Sequence, residues 1–192
     1  GGCIVHGPGI TYSMVFSDKD LQLPSSVKAS FQYLCSFILA FYRSLGLDAD
    51  YAVNRAKKEE TLGAFTDLCW ASSQHYDIII GDRKIGGNAQ KRNRNLIFQH
   101  GFIPLYFDKK MNDIMYQPSS EPASSLYDFS VYEPVPVLAK RLENAFKETF
   151  NVTLETCHLN TEENMLLSLL AGDKYRSPQW NIERSDEYKR VP

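Results

Sequence analysis

The sequence has no apolar run near the roughly 20 residues that a membrane-spanning helix needs, and stretches such as YDIII stop far short of that. No membrane partner is expected. It also lacks an excess of one charge. With 21 Lys and Arg against 23 Asp and Glu, the net charge of −2 gives no global attraction to nucleic acid. Cysteine is sparse, and Cys3, Cys35, Cys69 and Cys157 lie far apart. That pattern excludes a dense disulfide framework and the close paired spacing of a structural zinc site. Free thiols in a reducing, cytoplasmic setting, with no bound metal, are the expectation. The opening GGCIVHGPGITYS shows no charged-then-apolar leader, so no targeting signal is expected from it. Also missing are a glycine-rich phosphate loop ending in Lys-Ser/Thr and any Ser-His-Asp spacing.

What is present is a chain of 192 residues, 43% apolar, long enough to bury a sizeable core and read as a single domain over 1–192. CIVHGPGITYSMVF alternates on both sides of a Gly-Pro-Gly break, as two strands joined by a turn would. Ser25 or Ser26 can cap a helix whose apolar face is Val27, Phe31, Leu34, Cys35, Ile38, Phe41 and Leu45, with Gly46 as its stop. VNRAKKEETLGAFTD is polar and aperiodic, hence a surface loop. YDIII, a Gly-Asp turn, RKIGGNAQ, a basic tip KRNRN and LIFQHGFIPLYF read as a three-strand antiparallel meander. After a Pro/Ser-rich linker at 117–125 come a helix in VPVLAKRLENAFKETF and a short strand in NVTLET. A second helix, TEENMLLSLLAGDKY, is opened by Thr161 and two acids. Strands then helices, without regular alternation, predict an α+β fold: a mixed, mainly antiparallel sheet covered by helices.

Within RKIGGNAQ, strand alternation puts Lys84, Gly86 and Asn88 on one face and Ile85, Gly87 and Ala89 on the other. With Gly81 and Asp82 as the turn, Ile79 lies opposite Lys84 and Ile78 opposite Ile85. Paired glycines weaken a strand, and their usual justification is close approach of a ligand or another chain. The ammonium then stands at the edge of a smooth groove suited to a narrow substrate with a polar head. The alternative reading of the same residues is a bulge beside a solvated charge. Lys91, Arg92 and Arg94 at the tip could meet phosphate or nucleic acid, but three charges without interleaved aromatics fit a solvated turn better.

GDRKIGGNAQ followed by FQHG resembles the lysine signature of the biotin and lipoate protein ligase superfamily, a Lys-(Ile/Val)-(Ser/Ala/Gly)-Gly-(Ser/Asn)-Ala strand followed by His-Gly. GGCIVH with ITYS resembles that family's Gly-Gly-x-x-Val-x-His segment, and KYRSPQWN at 174–181 its C-terminal Lys-Tyr-x-x-x-x-Trp-Asn. The three motifs stand in family order and span nearly the whole chain. The resemblance implies a biotin/lipoate protein ligase-like catalytic domain in which Lys84 holds the carboxyl or carbonyl oxygen of an acyl group. It implies that Gly86, Gly87, Asn88 and Ala89 floor the acyl slot, that Gly1, Gly2 and His6 form the opposing wall, and that His100 and Gly101 lie on the supporting strand. The chain departs from the family in two ways. No arginine pair stands before Gly-Gly in this sequence, so the resemblance leads us to expect a domain without the family's N-terminal strand and helix portion, and Cys3 stands where ligases have a third glycine.

Two mechanisms occur in the family that the chain resembles. A ligase joins free lipoate to ATP, with Mg, and passes the acyl group from lipoyl-AMP to a lysine of a lipoyl domain. A cysteine-type octanoyltransferase needs no cofactor and moves octanoate from octanoyl-carrier protein through its own thiol. LCWASSQHYDII resembles the cysteine segment of those transferases and puts the nucleophile on Cys69, fifteen residues before Lys84. A neighbouring ammonium would favour its thiolate. The bland reading of Cys69 is a buried small hydrophobe. Cys35, on the apolar helix face, is read as core, and His75 and His158 as surface or supporting residues. The expected acceptors are lipoyl domains of 2-oxoacid dehydrogenase complexes or the glycine cleavage H protein. A transferase is the first expectation, a ligase the second, and a catalytically inactive lipoyl-domain-binding module the third.

Overall fold

The computed structural model describes residues 7–17, 23–55, 76–93, 95–108 and 124–183. It divides into two compact units, Gly1–Val152 and Thr153–Pro192.

The first unit is built on two three-stranded antiparallel sheets. One has the order β1-β6-β5, with β1 at Gly9–Ser17, β5 at Gly87–Asn93 and β6 at Leu96–Pro104. The other has the order β2-β3-β4, with β2 at Ala49–Tyr51, β3 at Ile78–Ile80 and β4 at Arg83–Lys84. The α+β class expected from the sequence stands.

Helix α1 (Val27–Ser44) starts where the Ser26 side chain accepts a hydrogen bond from the Ala29 N–H at 3.0 Å, which satisfies one of the first-turn donors. Its apolar stripe buries Leu34, Cys35, Ile38, Phe41 and Tyr42, while Val27 at the first turn stays exposed. Each fully buried Leu, Ile or Phe of this kind contributes about 1.5–3 kcal/mol. A short helical turn, α2 (Ala52–Arg55), follows β2 at the start of the stretch expected to be loop; residues 56–75 lie outside the described residues. Helix α3 (Val135–Phe150) occupies the predicted segment, with Leu138, Leu142, Ala145 and Phe150 buried. Phe37 joins the layers: its ring meets Tyr12 of β1 at 5.3 Å and Phe146 of α3 at 5.2 Å, both edge to face.

The meander differs from the sequence expectation. RKIGGNAQ is two strands in two sheets, broken between Lys84 and Gly87. Gly86 has φ +70, a left-handed conformation that residues with a β-carbon avoid, and it redirects the chain. Ile85, buried at the break, still donates its N–H to the Ile78 carbonyl at 3.0 Å and bridges Ser124. Residues 3–6 of CIVHGPGITYSMVF lie outside the described residues, and the stretch from Gly9 onward is β1.

In the second unit, α4 (Thr161–Leu169) is capped by Asn160, one residue before the expected start. The Asn160 side chain accepts from the Glu163 N–H at 2.9 Å, and the Glu163 carboxylate accepts from the Asn160 N–H at 2.8 Å. NVTLET forms no strand, because a strand requires a ladder partner and this exposed segment pairs with none among the described residues. The Lys-Tyr…Trp-Asn motif closes on itself: the Lys174 ammonium lies 4.8 Å from the Trp180 ring centroid and 5.4 Å from that of Tyr175. Asn181 donates to the Tyr175 carbonyl at 2.9 Å.

Candidate active site

Lys84 ends β4, opposite Ile79 as the hairpin register requires. Its backbone carbonyl accepts two bonds from Ser124, from the N–H at 2.7 Å and the hydroxyl at 2.9 Å. The strand end is thereby clamped by a serine from the distal part of the Pro/Ser-rich linker. The Lys84 ammonium sits 2.7 Å from the Asp77 carboxylate, and the two side chains are only 10% and 16% exposed. In such a nearly dry pair the attraction is strong, but desolvation offsets much of it, so its main effect is to fix the ammonium in place. Asp77 precedes β3 on the face of Ile79, the diagonal cross-strand neighbour of Lys84.

Beyond the Gly86 turn the large sheet carries a polar row. Tyr12, Gly101 and Asn88 lie side by side on β1, β6 and β5. The Tyr12 hydroxyl donates to Asn88 Oδ1 at 2.6 Å, directly over Gly101. A β-carbon on Gly101 would fall 2.3 Å from Asn88 Oδ1 and 2.5 Å from the Tyr12 ring. The glycine of QHG is therefore required by a side-chain contact passing above it. Fully buried Gln99 extends the row: its carbonyl oxygen accepts from the Gln90 amide at 2.9 Å, and its own amide reaches the Tyr12 hydroxyl at 3.4 Å and Cys35 Sγ at 3.5 Å.

Burial pushes the Cys35 thiol up to about 12, the hydrogen bond from Gln99 pulling it back and the negative charge of Asp77 adding to the rise. Cys35 is a neutral core thiol, as its helix position implied, and not a nucleophile at neutral pH. Burial also raises Tyr12, Tyr42 and Tyr51. The Tyr42 hydroxyl is buried and has no hydrogen-bond partner among the described residues, and a β-carbon on Gly86 would stand 3.4 Å from it.

The expected floor residues separate. Gly86 is the buried turn, Asn88 points toward α1 with Tyr12, and Ala89 is exposed, paired across the ladder with His100. His100 is also exposed and stacks on Phe98 at 5.4 Å, so it and Asn88 occupy opposite faces of the sheet. Gly87 opens β5 opposite Phe102. Gly1, Gly2, His6, Cys69, Cys3 and His75 lie outside the described residues. His158 and Cys157 are exposed in the second unit. Among the described residues no group of three or more His, Cys, Asp or Glu side chains is arranged to hold a metal ion. Sequence reasoning missed Asp77, Tyr12, Gln99 and Ser124. Asp77 alone carried a signal, since the inferred hairpin register already placed it diagonally across from Lys84.

Lys84 is thus fixed at the seam of two antiparallel sheets, with Gly86 at the break, and the known proteins to which the chain is similar fall in one enzyme class. The fold and the relatives define that class as a lipoyl/octanoyl protein transferase or ligase catalytic domain. The chain belongs to the lipoyl protein ligase A/B catalytic domain family, whose profile matches residues 1–154. It is 32% identical to the octanoyltransferase LipM of Bacillus subtilis (strain 168) over 199 aligned residues, covering 96% of this chain and 72% of the relative. In fold it is similar to a lipoate-protein ligase A bound with ATP, at TM-score 0.68 and 23% identity, covering 89% of this chain and 64% of that one. It is also similar to a bi-partite lipoate protein ligase of Thermoplasma acidophilum, studied with its E2 lipoyl domain, at TM-score 0.63 and 20% identity, covering 90% of this chain and 63% of that one. The chain thus spans just under two thirds of each of these ligase chains.

Proposed function

We propose that the protein transfers an octanoyl or lipoyl group to a lysine of lipoyl domains through a thioester on Cys69, with octanoyl-carrier protein as donor. The observation that carries this reading is the Lys84 ammonium, held nearly dry at the glycine break of a chain 32% identical to an octanoyltransferase. In the first step the Cys69 thiolate attacks the carrier thioester carbonyl. The electron pair collects on the carbonyl oxygen beside Lys84, and collapse expels the carrier thiolate, which takes up a proton. In the second step the neutral amine of the acceptor lysine attacks the Cys69 thioester. An amide forms, Cys69 leaves as thiolate and the amine loses its proton. Lys84 acts in both steps as a fixed charge aimed at the developing oxyanion, a contribution of roughly 2.7–4 kcal/mol when one such donor is removed.

The acceptor is a lipoyl domain, of a 2-oxoacid dehydrogenase complex or the glycine cleavage H protein, and the setting is cytoplasmic. Support for the acceptor comes from the Thermoplasma ligase, studied together with its E2 lipoyl domain. The transferase uses no cofactor. A second reading is favoured by the ligase folds: lipoate activated by ATP, with Mg, to lipoyl-AMP. An inactive lipoyl-domain-binding module is the third reading.

One experiment separates them. The protein is incubated with a lipoyl domain and either octanoyl-carrier protein or lipoate plus ATP, and intact mass is read for the wild type and Cys69→Ala. Transfer from the carrier protein, with a thiol-labile acyl adduct that Cys69→Ala abolishes, is expected. Full activity of Cys69→Ala with an ATP requirement overturns the thioester in favour of the ligase. A stable lipoyl-domain complex without product leaves only the binding module. Lys84→Ala is expected to lower the rate by about 10²–10³, and unchanged activity rejects the role given to Lys84.

A further inference from the structure

Tyr42 stands apart from two other tyrosines of the core. Tyr12 donates its hydroxyl hydrogen to Asn88 Oδ1 at 2.6 Å and Tyr51 donates to the Gln32 carbonyl, as buried hydroxyls nearly always find a partner. The Tyr42 side chain is fully buried on α1, yet its hydroxyl has no partner among the described residues. That hydroxyl is stripped of water with nothing in exchange, a loss that phenylalanine at the same position would avoid. Burial raises the Tyr42 phenol well above its ordinary value, so it stays protonated and able to donate. It lies against the Gly86 turn: a β-carbon on Gly86 would stand 3.4 Å from the hydroxyl and 2.5 Å from the Phe102 backbone oxygen. The turn is fastened on both sides and not in the middle. Ile85 donates its N–H to the Ile78 carbonyl at 3.0 Å, Gly87 opens β5 opposite Phe102, and Gly86 belongs to neither strand. With φ +70 and no side chain, Gly86 lets its flanking peptides rotate between those two anchors.

We infer that Tyr42 is a positioning residue whose hydroxyl is a spare donor, bonding a backbone carbonyl of the Gly86 turn when an acyl chain lies along the glycine break. This rests on the reading of that break as the acyl slot. Glycines bare their backbone, and Gly87 beside the turn is half-buried, so water still reaches part of it. An apolar chain laid there takes that water away. A carbonyl that loses its water needs an internal donor, and the Tyr42 hydroxyl is the unused one next to the turn. Occupancy of the slot and satisfaction of the hydroxyl are thereby linked, and stability given up by the empty protein reappears as affinity for the acyl chain. Tyr42 touches neither the chain nor the reacting carbonyl in this scheme. It acts through the turn that joins Lys84 to Gly87.

The test reads stability and acyl binding together in Tyr42→Phe, which removes one oxygen and keeps the ring. In urea unfolding without ligand, the midpoint of Tyr42→Phe is expected to lie above that of the wild type, because an unsatisfied hydroxyl has gone. Calorimetry with octanamide, a neutral octanoyl probe, is expected to show binding at least about threefold weaker in Tyr42→Phe than in the wild type. The two readings move in opposite directions. A tyrosine needed only for the fold would lower the midpoint when truncated, and one that only fills space would change neither reading. A midpoint that stays or falls, failure to fold included, overturns the inference. Octanamide affinity that falls by less than about threefold overturns it too. Both results leave the acyl-slot reading intact, since the wild type still binds the probe. Failure of the wild type to bind octanamide removes that reading itself, and the inference with it.

Discussion

Replacing Gly86 by alanine tests the break between the two sheets on quantitative terms. The residue has φ +70, and a β-carbon there would lie 2.5 Å from the Phe102 backbone oxygen. The left-handed conformation alone costs a residue with a side chain about 1–2 kcal/mol. The contact adds a separate cost, because Phe102 sits in the centre of the large sheet, paired to Thr11 on one side and Gly87 on the other. Neither ladder lets the oxygen retreat by the several tenths of an ångström required. Overpacking of this kind costs about 1–3 kcal/mol, for a total of roughly 2–5 kcal/mol. Gly81→Ala is the internal control: φ is +64, yet among the described residues nothing lies within 4 Å of the added carbon, so only the conformational cost of about 1–2 kcal/mol applies. Urea unfolding followed by aromatic fluorescence, with matched m-values, gives both free energies. Gly86→Ala is expected to exceed Gly81→Ala by about 1–3 kcal/mol. Equal losses would refute the idea that close approach to β6, rather than the turn alone, demands glycine at 86.

Tyr12→Phe removes the donor to Asn88 Oδ1 and is expected to cost about 1–3 kcal/mol in urea unfolding, since a part-buried acceptor loses its partner. Stability unchanged within about 0.5 kcal/mol would mean that the Tyr12–Asn88 contact does not hold the row together. Alkaline unfolding reads Cys35. The fold keeps this thiol protonated up to about pH 12, whereas an unfolded thiol ionises near about 8.5. Between those values the unfolded chain binds fewer protons, so stability falls with rising pH by up to about 1.4 kcal/mol per unit. The buried tyrosines, raised in the same direction, add to that fall once pH passes their unfolded value of about 10. Cys35→Ala is expected to flatten the slope from about pH 8.5 to 10, and a slope identical to wild type would show that the thiol titrates alike in both states. In native protein at mildly alkaline pH, iodoacetamide is expected to label exposed Cys157 and spare Cys35, with peptide mass as the readout.

Helix boundaries were legible because their causes are local. Ser26 caps α1 through its own side chain, and the apolar spacing of α3 coincides with its buried face. The hairpin around Gly81 and Asp82 was legible in register as well, with Ile79 opposite Lys84. NVTLET failed as a strand for the opposite reason, since alternation describes a strand's faces and not whether a partner exists. The break in RKIGGNAQ was hidden in the same way. Lys84, Gly86 and Asn88 alternate correctly for one continuous strand, and the sign of φ at Gly86 leaves no trace in the pattern.

That break alters what the candidate site is. On a single strand, Lys84 and Asn88 would share a face and move together. Here Lys84 belongs to the small sheet, fastened by Ser124 and Asp77, while Asn88 belongs to the large one, fastened by Tyr12 across Gly101. The lysine was legible from sequence because its neighbours are unusual residue types, but its partners arrive from elsewhere in the chain. Ser124 lies forty residues on, and Tyr12 seventy-six residues before Asn88. Such contacts follow from topology, which composition and spacing do not encode. Asp77 is the instructive exception, seven residues from Lys84 and fixed by a two-residue turn. Where a hairpin register can be inferred, the diagonal neighbours of a charged residue can be inferred with it. Here that step yields the carboxylate that pairs with the Lys84 ammonium.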